Sequence, residues 1–165
     1  RFTAPASSLA GVRAANIQTL RMLPERIKAV TAGLTDAQLD TPYRDGGWTV
    51  RQLVHHFADS HANAYVRFKL ALTEEWPTSE PYDEAAWAEL ADSRRLPIEV
   101  SLVFLTALHQ RWVTLLESLS DDDFRKGYNH PVAGRQNLAN VLALYDWHSR
   151  HHTAHITNLR ARMNW

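Results

Sequence analysis

Apolar residues in this chain recur at three- and four-residue steps over most of its length, while glycine and proline gather between those stretches. This is the signature of amphipathic helices, and no segment shows the two-residue alternation of a half-buried strand. Asn16, Leu20, Leu23, Ile27 and Val30 mark a first long helix, with a kink expected at Pro24 and an end at Gly33. Thr35 to Leu39 reads as one short turn of helix, opened by a Thr35–Gln38 capping box. After a loop over TPYRDGGW (Thr41 to Trp48), a second capping box, Thr49 with Gln52, opens a second long helix. Leu53, His56, Phe57, Ser60, Ala64 and Arg67 share its inner face by spacing.

Pro77 and Pro81 bracket a connector in which Tyr82 to Leu90 reads as a short amphipathic helix. A third long helix follows Pro97, with Val100, Phe104, Leu108, Trp112 and Leu115 expected inward. Asp121 to Arg135 reads as a loop holding at most a turn of helix, and a fourth long helix runs from about Asn137 to near Met163. The links between the first three long helices exceed a tight hairpin, which leaves the order of helices around the core open. The expected class is all-α: a four-helix bundle with extra short helices in the connectors, one domain over residues 1–165.

Composition narrows the chemistry. Lysine plus arginine and aspartate plus glutamate balance at 18 each, so no basic field favours nucleic acid. The absence of cysteine removes disulfides, thiolate ligands and a cysteine nucleophile. No apolar run reaches the roughly 18 residues of a membrane span, and no signal-peptide core is seen near the start. A soluble cytoplasmic protein is expected, with a few native residues preceding Arg1.

Seven of the nine histidines fall in two short windows, His55 to His61 and His148 to His155. On a helix, His148 and His152 are one turn apart, about 6 Å in rise, and can converge on one ion. With His148 at zero, His152 lies at about 40°, His155 at about −20° and His151 at about −60°. All four share one core-width face, where each unpaired imidazole nitrogen costs around 1–3 kcal/mol. A metal relieves that cost. Two i,i+4 pairs qualify, His148 with His152 and His151 with His155, and periodicity does not choose between them. In the first window only one of His55 and His56 can face the fourth helix, and the stripe with Leu53 and Phe57 favours His56. Asp59 and Asp146 are candidate hydrogen-bond partners for a ligand imidazole, or bases. His61, His109 and His130 lack ligand spacing and read as ordinary hydrogen-bonded histidines, with His130 in reach of a pocket mouth. Trp48, Tyr65, Trp112, Tyr145 and Trp147 read as core or pocket wall, and Arg44, Asp45 and Arg67 as candidate substrate-pole residues.

The strings TPYRDGGWTVRQLVHHFADSH, RFKLALTEEWP, PYDEAAWAEL and WHSRHHTAHI resemble the YfiT-like branch of the DinB superfamily across nearly the whole chain. That resemblance implies a four-helix bundle of unusual helix order, holding zinc or nickel on one histidine of the second helix and an H-x-x-x-H pair of the last. In the superfamily the final ligand precedes x-[GA]-[QH]-I, which here is Thr153-Ala154-His155-Ile156. It therefore selects His56, His148 and His152 as ligands. His151 and His155 become neighbours that, with Asp59, are candidate catalytic groups.

Members of the family are described as metal-dependent hydrolases, and others resemble bacillithiol S-transferases. The expected function is thus thiol transfer, in which a metal-activated thiolate attacks an electrophile. Hydrolysis by a metal-activated water is the alternative, and a non-catalytic metal-binding stress protein comes third. The expected partners are a small-molecule thiol and an electrophilic substrate, and the resemblance suggests a homodimer.

Overall fold

A computed structural model describes residues 10–165 of the chain. Four long helices form its body: α1 (Ala10–Thr31), α3 (Val50–Thr73), α6 (Ile98–Glu117) and α8 (Leu138–Met163). Short helices fill the connectors: α2 (Asp36–Leu39), α4 (Glu84–Ala88), α5 (Ala91–Arg95) and α7 (Asp121–Arg125). Both expected capping boxes are present, Thr35 with Gln38 before α2 and Thr49 with Gln52 before α3. Among the described residues, no helix is long and apolar enough to cross a membrane.

The helix order departs from a simple up-down ring. The main contacts join α1 to α8 and α6, and α3 to α6 and α8. Consecutive long helices α1 and α3 therefore stand at opposite corners, which explains the long link between them. Arg51, buried on α3, holds that link in place by bonding Asp36, Asp40 and the carbonyl of Leu96.

Helix α1 runs unbroken through Pro24, whose ring is buried. Two local expectations need correction. On α6 the inward stripe is Ile98, Ser101, Leu105, Leu108, His109, Trp112, Val113 and Leu116, while Val100 and Phe104 are about half exposed (52% and 47%). The reason is helical drift: counting back from Trp112 in fours loses about 40° per step, so Val100 ends some 120° off the stripe. The later part of the segment expected as loop, with the two residues after it, forms an antiparallel hairpin of β1 (Gly127–His130) and β2 (Gly134–Asn137). Its four-residue polar strands carry no period-two signal. They are fixed instead by backbone bonds between Asn129 and both Pro77 and Ser79, and by Arg135 over the Trp76 ring. Gly127 is required there, because a Cβ would lie 2.0 Å from the Gln136 carbonyl oxygen. The short helix expected over Tyr82 to Leu90 is present as α4, and a further short helix, α5, follows it.

Two apolar clusters make the core. One gathers Leu20, Phe68, Trp112, Leu138, Leu142 and Tyr145; the other gathers Leu23, Phe57, Leu105, Ile156 and Leu159. Along α3, α6 and α8 the passage from one to the other falls at His61, His109 and His148. A polar layer of imidazoles thus divides the core.

Candidate metal centre

Helices α3 and α8 are held in register by Tyr145, whose hydroxyl donates to the Ser60 carbonyl at 3.0 Å. Ser60 lies one turn beyond His56, and Tyr145 one turn before His148. This contact brings His56 opposite the His148–His152 pair. Ligand nitrogens of His56, His148 and His152 all lie within 4.8 Å of one another. His56 Nε2 faces His148 Nε2 at 3.1 Å, close to the roughly 3.3 Å expected of two imidazoles sharing a tetrahedral zinc. His55, its neighbour, turns the other way onto Ser101 Oγ (2.7 Å) and the Leu96 carbonyl (3.1 Å). Phe57 closes the apolar side with its ring edge-on to His148 and His152, and Trp48 lies over His56 at 4.7 Å between ring centres.

Burial keeps these imidazoles neutral, with their lone pairs available. It lowers His56 to about 4, and it holds His148 well below the usual histidine range, helped by the charges of His152 and His56. His152 is lowered to about 3, chiefly by burial and then by its histidine neighbours, and its buried Nδ1 has no hydrogen-bond partner. Three neutral nitrogen donors meeting at one point, with no carboxylate among them, fit a borderline divalent ion such as zinc or nickel. A second convergent set, His151, His152 and His155, shares His152 but lies on α8 alone and is more exposed. In it His151 and His155 are joined Nε2 to Nε2 at 3.1 Å. Trp147 stacks on the first ring and Tyr43 on the second.

The other candidates fall in different places. Asp59 is half-buried and outside both convergent sets, and burial, with the charge of Asp92, pushes it up to about 6. Asp146 is committed to an ion pair with Arg150 and is not the partner of a ligand imidazole. Arg67 donates to the Glu80 carbonyl, and Arg44 lies by the Tyr43 ring. His130 accepts from the backbone N–H groups of Val132 and Ala133 and so shapes the hairpin turn.

Sequence spacing missed two residues that the structure joins to the centre. His148 Nδ1 meets His61 Nε2 at 3.3 Å, and His61 Nδ1 meets His109 Nε2 at 3.0 Å. Both His61 and His109 are buried, on α3 and α6. The available signal was their place in core stripes, where a polar ring needs a partner.

Fold and site together define a four-helix bundle with a nitrogen-only candidate metal centre between its second and fourth long helices. The chain belongs to the DinB superfamily, whose profile matches residues 9–156. A Bacillus cereus (strain B4264) protein named "putative metal-dependent hydrolase" is 58% identical over 149 residues, spanning 90% of this chain and 86% of the relative. A Bacillus anthracis (strain A0248) protein of the same name matches to the same extent. The solved structure of YfiT from Bacillus subtilis is described as "a probable metal-dependent hydrolase with an unusual four-helix bundle topology". It superposes with a TM-score of 0.97 at 51% identity, over 100% of this chain and 95% of that one. TT2238, a four-helix bundle protein, shares the fold at 16% identity and a TM-score of 0.61, over 88% of this chain and 98% of that one.

Proposed function

We propose that the chain is a metal-dependent enzyme that holds one zinc or nickel ion on His56, His148 and His152 and transfers a small thiol to an electrophile. The observation that carries this reading is the convergence of three neutral imidazoles without a carboxylate. Such a ligand set leaves the full charge of a divalent ion for an incoming anion. Bound there, the ion supplies Lewis-acid stabilisation of an anionic nucleophile, which lowers the pKa of a thiol below its free value of about 8.5.

The chain's own groups supply the rest. The sulfur arrives from outside, since the chain has no cysteine. The hydrogen-bonded His151–His155 pair adjoins His152 and accepts the thiol proton on a free imidazole lone pair. Burial, foremost, lowers both of these histidines below their ordinary value, so they are unprotonated and ready near neutral pH. Trp48 and Phe57 exclude water from one side of the centre. A carbon–sulfur bond forms as the bond from carbon to its leaving group breaks, and the proton passes from the imidazole pair to solvent.

The second reading is hydrolysis of an ester or amide, favoured by the names that the Bacillus relatives carry. The same imidazole pair then takes a proton from water. Cobalt-loaded protein separates the two. Thiol transfer predicts conjugation of bacillithiol to monochlorobimane, lost on removing the metal, with a thiolate-to-cobalt absorption band on adding thiol. Ester turnover without any thiol, together with a cobalt spectrum that thiols leave unchanged, would reverse the order of the two readings.

A further inference from the structure

Pro24 sits inside α1 and has no backbone N–H, so the carbonyl of Leu20, four residues earlier, loses its helical hydrogen bond. That carbonyl is taken up instead by His109 Nδ1 at 2.6 Å. From there the chain of contacts runs through His109 Nε2 to His61 Nδ1 (3.0 Å), His61 Nε2 to His148 Nδ1 (3.3 Å), and ends at His148 Nε2, facing His56. One residue comes from each of the four long helices.

The chain has only one self-consistent polarity. A carbonyl oxygen can only accept, so the hydrogen of His109 is on Nδ1. His109, His61 and His148 are buried or nearly so, and their ring partners in this chain of contacts are imidazoles and a carbonyl, not carboxylates, so each ring is neutral with one hydrogen. His109 Nε2 must then accept, which puts the hydrogen of His61 on Nδ1. His61 Nε2 accepts in turn, which puts the hydrogen of His148 on Nδ1. What remains is an Nε2 lone pair on His148, directed at the centre. Reversing any link would turn an N–H on that atom toward the ion.

We infer that the Leu20 carbonyl, freed by Pro24, together with His109 and His61, forms a directed hydrogen-bond chain that fixes the metal-accepting tautomer and orientation of His148. His61 and His109 are positioning residues; neither is a ligand. This role rests on the assignment of His148 as a ligand, but the polarity of the chain is a property of the metal-free protein and can be read without any ion. Fixing a ligand's tautomer from its other nitrogen is typically worth 10–100-fold in metal affinity.

Long-range proton–nitrogen NMR spectra of the metal-free protein, at a pH above 7, read the tautomers directly. We expect His109, His61 and His148 each to carry hydrogen on Nδ1 and none on Nε2. A hydrogen on Nε2 of His148 or His61 would overturn the inference, whatever the metal assignment. Zinc affinity, measured by chelator competition, tests the consequence. His61→Leu and His109→Leu should each weaken binding by about 10–100-fold. His61→Gln, whose side-chain oxygen can accept from His148 Nδ1, should recover most of that loss. Equal loss in His61→Leu and His61→Gln, at similar melting temperatures, would contradict the directional role. Should the leucine variants fail to fold, the wild-type spectrum still decides. Correct tautomers without any zinc binding would instead place the error in the ligand assignment.

Discussion

His148→Ala and His152→Ala are each expected to lose at least about 100-fold in zinc affinity, more than the 10–100-fold typical of a partner that only supports a ligand. Each removes one of three nitrogens that converge from two helices, and no nearby carboxylate joins the set to replace it. His56→Ala has the same effect, because it removes the only contribution from α3. By contrast, His151→Ala is expected to keep the ion and lose rate, since His151 pairs with His155 at the rim. Isothermal titration or chelator competition on the four variants gives the comparison. Retained tight binding in His56→Ala, with loss in His151→Ala, would move the centre to the second histidine set.

The metal-free protein is expected to lose stability steeply as pH falls from about 6.5. His56, His61 and His109 are buried and His148 nearly so; all four are neutral, with proton affinities in the fold well below the ordinary value, His56 and His109 each at about 4. The unfolded chain takes up protons on these groups below pH 6.5 while the folded chain does not, so acid favours unfolding. Each such histidine contributes up to roughly 1.4 kcal/mol per pH unit. Four together, on the order of 5 kcal/mol per unit, rival the 5–15 kcal/mol that holds a typical domain folded.

Asp59 acts in the opposite sense, because a carboxyl raised to about 6 binds its proton more tightly folded than unfolded. It is a single half-buried group and offsets only part of the effect. Thermal melts of metal-free protein at pH 7.5, 6.5 and 5.5 should show a fall that steepens at the last step, and His109→Leu, if folded, should flatten it. A melting temperature constant over that range would show that the histidine layer is more hydrated than its burial indicates.

How far the sequence carried depends on whether a feature is local. Thr49 with Gln52, Thr35 with Gln38, and the extent of α8 were legible because caps and helical periods are set by residues a few positions apart. The choice of His56 over His55 was legible for the same reason, since neighbours on a helix point about 100° apart. The stripe on α6 was misread by counting in fours, and the hairpin was invisible because Asn129 and Gly127 act through Trp76, Pro77 and Ser79, some fifty residues away. Which partners join in the histidine chain lay beyond spacing arguments. His61 and His109 meet only because α3 packs against α6, and the acceptor at its end exists because of a missing N–H in α1. Pro24, expected to kink a helix, has its consequence in a carbonyl offered to another helix.

Anomalous diffraction from crystals of zinc- or nickel-loaded protein locates the ion and its ligands directly. One ion per chain is expected, bonded at about 2.0–2.1 Å to nitrogens of His56, His148 and His152, with at least one further position open to solvent. An ion on His151 and His155 with His56 left unligated would contradict this.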